Sequence, residues 1–297
     1  MNHNLVQTGG SSIVLGEGQY NKFVSVKRNK LLKITKVSEK YDEFKYLSTI
    51  REIEDYENYY SIPNEISYLL KPTDNFYIHL KTLVPVEKYK FFDGPLKCFY
   101  IDNAGDKELF DTIIDVDTNR DFSFWKSYNT ILEFSKKIME GLSFLHQKKI
   151  CHLDIKPENI IVNTVTNEFR IIDFGYSSKE PFDDYVNNIK GTPGYFPALF
   201  NTVKITPWVP KIEAMDVELV NGKIPFMENR KLVYKIDSYC FGRALYFLKF
   251  VYKRQVQYFC YNWEKRTGRK IDDIISSLLE NDPIKRLTIE ECLTKYF

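Results

Sequence analysis

His152-Leu153-Asp154-Ile155-Lys156-Pro157-Glu158-Asn159-Ile160-Ile161-Val162, followed eleven residues later by Asp173-Phe174-Gly175, is the stretch from which the rest of the chain can be read. It sets one carboxylate, one lysine and one asparagine on a tight loop. A second carboxylate follows on a glycine-containing turn, after the strand-like run Phe169 to Ile172. This set suits transfer of a phosphoryl group. That reaction needs little covalent help beyond a base to orient the incoming hydroxyl, cations for the oxygens, and ligands for a metal. On this reading Asp154 is the base, Lys156 meets the transferred phosphate, and Asn159 and Asp173 hold magnesium. The bland alternative is a polar turn between two short buried strands. Two motifs at this spacing, each after an apolar run, argue against it.

At these residues the chain resembles the eukaryotic-type protein kinases, whose catalytic loop has the form HRDxKPxN and whose metal turn is DFG. The resemblance implies an α+β, bilobal protein-kinase-like fold: a small β-rich first lobe with one main helix and a larger, mostly helical second lobe. It implies a kinase domain over 1–297, with a first lobe at 1–101, a hinge at 102–104 and a second lobe at 105–297. ATP and Mg2+ are the implied cofactors. One departure is plain: Leu153 stands where the family usually has arginine.

Composition agrees with a globular chain. The 297 residues are 43% hydrophobic and 28% charged, enough for two lobes and unlike a disordered protein. Net charge is +2, with 42 basic against 40 acidic residues, so no excess calls for nucleic acid or another polyanion. Cysteines at 98, 151, 240, 260 and 292 are odd in number and show no CxxC spacing. They read as reduced thiols, which places the protein in an intracellular, reducing compartment. The start MNHNLVQTGG is not a secretory signal, and no apolar run is long enough to span a membrane.

Leu15-Gly16-Glu17-Gly18-Gln19-Tyr20-Asn21-Lys22-Phe23 carries two glycines one residue apart, which lets backbone N–H groups approach phosphate oxygens. Alone it is a weak signal, common in hairpin turns. Beside the catalytic loop it resembles the kinase glycine-rich loop, with Asn21 for the third glycine; asparagine tolerates positive φ best among the other residues. Leu31 to Val37 reads as the returning strand, with Leu31, Lys33 and Thr35 on one side and Leu32, Ile34 and Lys36 on the other. Lys33, preceded by two leucines, resembles the ATP-anchoring lysine; Lys36 is the alternative. A helix is expected from Glu39 to about Ile53, with Phe44, Leu47 and Ile50 as its buried stripe. In it Glu43 resembles the glutamate that pairs with the strand lysine. Asp102 to Asp111 resembles the family's hinge and helix start, as in EYxxGGxLFD. The adenine edge is then read by backbone of Asp102 to Ala104, Ile101 backs the pocket, and Glu108 reaches ribose hydroxyls or a basic substrate residue. A solvated first-turn carboxylate is the equal alternative for Glu108.

Further along, Ile131, Phe134, Ile138, Leu142 and Leu145 form a helical stripe leading into the catalytic loop. By resemblance, His152 stacks on Phe174 and on a helix residue matching Leu47, without a protonation role. The family arginine missing at Leu153 gathers an activation-segment phosphate in many members. The matching position near Asn188 cannot carry one, so activity is expected without phosphorylation there; Ser177, Ser178 and Tyr185 remain open as sites. Gly191-Thr192-Pro193-Gly194-Tyr195 resembles the GTPxY element of serine/threonine kinases, with Thr192 bracing Asp154 and Lys156. The family's APE glutamate is absent at Pro197-Ala198-Leu199. Its usual partner matches Arg286, so another acid such as Glu213 or Glu218, or an exposed position, is expected to compensate. The longer connection from Leu199 to Asp237 reads as an insertion on the substrate-facing side. Asp237 in DSYCFG is expected to bond the catalytic-loop backbone. Protein substrates with Ser/Thr acceptors are the implied partners. A nucleotide-binding pseudokinase and a small-molecule phosphotransferase are the rival readings. The divergence is similar to that of kinases from large DNA viruses or protists.

Overall fold

The computed structural model describes residues 14–17, 21–27, 30–36, 44–82, 94–183, 191–192, 194–197, 229–256 and 262–297. Contacts divide the chain into two compact units, residues 1–47 with 61–103 and residues 48–60 with 104–297.

The described strands of the first unit are β1 (Val14–Glu17), β2 (Asn21–Lys27), β3 (Lys30–Lys36), β4 (Pro63–Leu70) and β5 (Leu96–Asp102). They form an antiparallel sheet in the order β1-β2-β3-β5-β4. Because β3 is central, Lys33 lies opposite Phe23 on one neighbour and Phe99 on the other. Sequence alternation suggested two distinct faces, but Leu32, Lys33, Ile34 and Thr35 are all buried. A strand covered on both sides keeps its period of two yet loses the polar face that makes the period visible.

The helix expected over 39–53 is described only from residue 44. It begins as a turn at 44–46 and is helical over α1 (Leu47–Arg51). Leu47 and Ile50 are buried, and Phe44 meets the Phe99 ring edge-on at 4.9 Å. Asp55 then takes a left-handed φ of 53°, which aspartate adopts at modest cost, and a 3-10 turn follows at Tyr56–Asn58. A further helix, α2 (Asn75–Thr82), lies between β4 and β5.

The second unit starts with β6 (Lys107–Glu108), α3 (Leu109–Ile114) and a π turn at Asp115–Asn119. Helix α4 (Tyr128–Gln147) is capped by Ser127, whose hydroxyl accepts from the Thr130 N–H. The expected stripe of Ile131, Phe134, Ile138, Leu142 and Leu145 is fully buried. Each such side chain contributes roughly 1.5–3 kcal/mol. Then come β7 (Ile150–Cys151), a 3-10 turn at Pro157–Asn159, β8 (Ile160–Asn163), β9 (Glu168–Ile171) and β10 (Ser178–Lys179). Strand β8 pairs with β6 and β9, and β7 pairs with β10.

Helix α5 (Tyr234–Val256) is buried along most of its length, and α6 (Asn262–Leu278) and α7 (Ile289–Tyr296) follow. A reciprocal Thr288–Glu291 capping box starts α7. Among the described residues no helix is long and apolar enough to cross a membrane.

Segment 48–60, expected with the first lobe, packs with the second unit for a visible reason. Ile171 N–H donates to the Tyr59 carbonyl at 2.8 Å, the Tyr60 hydroxyl donates to the Gly141 carbonyl, and Arg170 Nε donates to the Glu57 carbonyl at 2.7 Å. The Tyr59 ring also meets Phe144 at 5.0 Å.

Candidate active site

The loop from β7 to β8 has no strand partners over its first residues, so its backbone must find other acceptors. Asp237, wholly buried in the first turn of α5, supplies them. Its Oδ2 accepts from His152 N at 2.8 Å and its Oδ1 from Leu153 N at 2.7 Å, while His146 Nε2 lies 3.0 Å from Oδ2. Held this way, Leu153 takes a φ of 66°, a left-handed conformation costing a non-glycine residue about 1 kcal/mol. Its side chain is fully buried. At this position the chain spends the side chain on the core and offers no charge to the segment that follows.

One turn on, the groups singled out in the sequence converge. Lys156 Nζ donates to Thr192 Oγ1 at 2.8 Å, and the Thr192 hydroxyl donates to Asp154 Oδ1 at 2.6 Å. Lys156 Nζ is also 3.2 Å from Asp154 Oδ2. Asn159 Nδ2 donates to the Asp154 carbonyl at 2.8 Å and to its Oδ2 at 3.0 Å. With its amide N–H groups committed, Asn159 keeps its Oδ1 as an acceptor, and among the described residues no donor reaches it. Asp154 is thus fixed by three neighbours at once.

Asp173 sits just after β9 at a φ of 68°, and its Oδ1 accepts from Gly175 N at 3.2 Å. The Ile172 N–H donates to the Asn159 carbonyl at 3.0 Å, which ties the two prospective ligand-bearing segments through backbone. An amide oxygen with a carboxylate suits magnesium, which takes oxygen donors and keeps several waters, so the residues fit that ion. His152 is a packing residue. Its Nδ1 accepts from Asp154 N, its Nε2 donates to the Ile172 carbonyl, and its ring meets Phe174 at 5.0 Å. Tyr60, which no sequence motif marked, meets the same Phe174 ring at 5.8 Å. Its only hint was the aromatic pair Tyr59-Tyr60 in a stretch without other signal.

Among the residues matched to nucleotide binding, Lys33 is 1% exposed, with its Nζ 5.8 Å from the Phe99 ring centroid. Lysine is rarely buried this far, so it is not the solvated strand residue of the bland reading. Ile101 is buried in β5; the Asp102 carbonyl accepts from Ser61 Oγ at 2.8 Å. In the second unit the Ala104 carbonyl accepts from Arg170 at 3.1 Å. Leu15, Gly16 and Glu17 form β1 as backbone. Gly18, Gln19, Tyr20, Glu43, Tyr185, Asn188, Leu199 and residues 200–228 of the connection lie outside the described residues.

Glu108 is half-buried: burial, then Asp111 and Glu158, push its carboxyl up to about 7, with Lys156 opposing. Burial likewise raises Glu158, whose Oε2 is buried without a hydrogen bond among the described residues. Ser177 and Ser178 are both buried.

Arg286 rules out one of its two expected settings, the exposed one. It is neither exposed nor, among the described residues, paired with an acid; Glu213 and Glu218 lie outside them. Its guanidinium is 4% exposed and donates to main-chain carbonyls of Glu280, Lys235 and Asn281 at 2.9, 3.4 and 3.4 Å. It also lies 4.8 Å from the Tyr239 ring centroid. Burial lowers it to about 10. Among the described residues, carbonyl dipoles and a ring face are what meet this charge.

The protein kinase domain model matches residues 12–297, and the chain belongs to the protein kinase family. It is 28% identical over 171 residues to the phosphorylase b kinase gamma catalytic chain, liver/testis isoform, of Bos taurus, covering 54% of this chain and 38% of that protein. It is 28% identical over 170 residues to the probable serine/threonine-protein kinase HSL1 of Saccharomyces cerevisiae, covering 54% of this chain and 10% of that one. The matched stretch therefore spans well under two thirds of these relatives. Among solved structures, the Cydia pomonella granulovirus kinase PK-1 has the same fold, with a TM-score of 0.51 and 13% identity over 96% of this chain and 94% of that one.

Proposed function

We propose that this chain is an active protein kinase whose domain fills its 297 residues and which transfers the γ-phosphate of Mg-ATP to Ser or Thr hydroxyls of proteins. The observation that carries this is the hydrogen-bonded triangle of Asp154, Lys156 and Thr192. A scaffold has no physical need for an oriented carboxylate braced on both oxygens. Asp154 accepts the proton of the incoming hydroxyl, and Thr192 and Asn159 keep its carboxylate aimed. Lys156, held beside it, places a positive charge where the transferred phosphate arrives. Lys33 supplies a second cation from β3. Asn159 Oδ1 and Asp173 are the oxygen donors for magnesium, which neutralises charge on the phosphate oxygens when bound. Leu15 to Tyr20, Ile101, Asp102, Ala104 and Glu108 are assigned to the nucleotide, with Glu43 as partner of Lys33. The serine/threonine preference rests on Lys156 and the Gly191–Tyr195 element. Buried, free Cys98, Cys151, Cys240 and Cys292 suit a reducing compartment.

The test is transfer of labelled γ-phosphate from Mg-ATP to mixed protein acceptors, comparing wild type with Asp154→Asn and Asp173→Ala. Label on Ser or Thr that falls at least 100-fold in both variants is the expected result. An inert wild type that ATP still protects against heat would make the chain a nucleotide-binding scaffold instead.

A further inference from the structure

Helix α5 carries a buried acid, Asp237, and six residues on a buried base, Arg243. Asp237, fully buried, holds the backbone of the catalytic loop. Arg243, 4% exposed, has no part in the chemistry described so far. A guanidinium taken out of water costs several kcal/mol unless its donors are met. Among the described residues no carboxylate is paired with Arg243. Its Nε donates to the Gly194 carbonyl at 2.9 Å.

That carbonyl belongs to a tight turn. Gly194 has a φ of 92°, which a side chain would strain, and the N–H groups of Tyr195 and Phe196 both donate to the Thr192 carbonyl at 3.2 Å. Tyr195 packs on Ala244, the residue after Arg243. The turn therefore begins at Thr192, whose hydroxyl bridges Asp154 and Lys156. The helix itself is seated closely: a Cβ on Gly242 would come within 2.9 Å of Leu278 Cβ, so this part of α5 has little room to move.

We propose that Arg243 is a positioning residue for phosphoryl transfer, tying the Gly194 carbonyl to α5 and so holding the Thr192 hydroxyl against Asp154 and Lys156. One rigid helix then sets both sides of the constellation. Asp237 grips the loop that carries the base, and Arg243 grips the turn that braces it. Leu153 lends the turn no charge, so the hold comes from the helix. The proposal rests on the kinase reading above.

The test compares Arg243→Met, which fills similar space without a donor, with Arg243→Lys, which keeps one. Each is made in the wild type and in Thr192→Ala. Arg243→Met should lower kcat about 10- to 100-fold, the cost of misplacing a reacting group by about 1 Å, while KM for ATP and the thermal shift given by ATP stay unchanged. Arg243→Lys should recover part of the loss. In the Thr192→Ala background Arg243→Met should add less than about twofold, because the residue acts through that hydroxyl. Unchanged kcat in Arg243→Met, or losses that multiply in the double variant, would overturn the positioning role alone. A wild type that transfers no phosphate would overturn both readings. Should Arg243→Met not fold, the same cycle run with Arg243→Lys reads the same coupling.

Discussion

The two units present their charged groups by opposite means. Lys33 stands in the middle of a sheet, where strand pairing fixes the backbone and burial on both faces fixes the side chain. Asp154 stands on a loop with no ladder of its own, held by Thr192, Lys156 and Asn159 and, through the neighbouring N–H groups, by Asp237. Packing tolerates a change of polarity that preserves volume. A buried hydrogen-bond network does not, since deleting one member strands the others. Stability should therefore respond more to loss of Asp237, which serves two backbone N–H groups, than to loss of the Lys33 charge in a strand paired on both sides.

The largest effect should come from Asp237→Ala. It leaves the His152 and Leu153 N–H groups without acceptors and the left-handed Leu153 without its restraint, a loss of roughly 3–5 kcal/mol. A fall in the urea midpoint at unchanged m would report it, and a loss under about 1 kcal/mol would break the comparison. Glu108 sharpens it from another side. Its carboxyl titrates near 7 in the folded chain against 4.5 when unperturbed. Between those values the native state holds more protons than the unfolded one, so stability falls as pH rises through the window. Glu108→Gln should remove that fall, about 1–2 kcal/mol once its partial exposure is discounted. Melting curves between pH 4.5 and 7.5 would show it; equal slopes in both proteins would mean that Glu108 ionises freely. The smallest effect on stability should be Lys33→Met, about 1.5 kcal/mol or less, because β3 stays paired on both sides and a side chain of similar length fills the buried site. The same variant should lose the thermal shift that ATP gives. A destabilisation as large as that of Asp237→Ala would break the comparison.

What could be read from sequence follows the same division. Asp154, Lys156, Asn159 and Asp173 were legible because their chemistry constrains residue type and spacing together, and α4 because its stripe repeats with the helical period. The covering of both faces of β3 was not, since a lysine and a threonine inside a strand look like a solvent face until the neighbours are known. The setting of Arg286 was not legible either, because the main-chain carbonyls that meet its guanidinium carry no sequence signature. Arg243 left a trace that went unused: it is a charge inside Tyr239-Cys240-Phe241-Gly242-Arg243-Ala244-Leu245-Tyr246-Phe247, where every neighbour is fit for a core. Tyr60 left almost none, because what matters about it is a distant carbonyl at Gly141.

The attachment of Tyr59 and Tyr60 to Ile171 and Gly141 bears on how this gene can be divided. The polypeptide passes from one unit to the other at 47/48, again at 60/61 and a third time at 103/104. Neither unit is a continuous length of chain. A cut at codon 104 would give a second half that lacks the Tyr59 carbonyl for β9 and the Tyr60 phenol for α4. Fragments meant to reassemble would need to carry residues 48–60 with the larger half, which a single cut at 47/48 does and a cut at 103/104 does not.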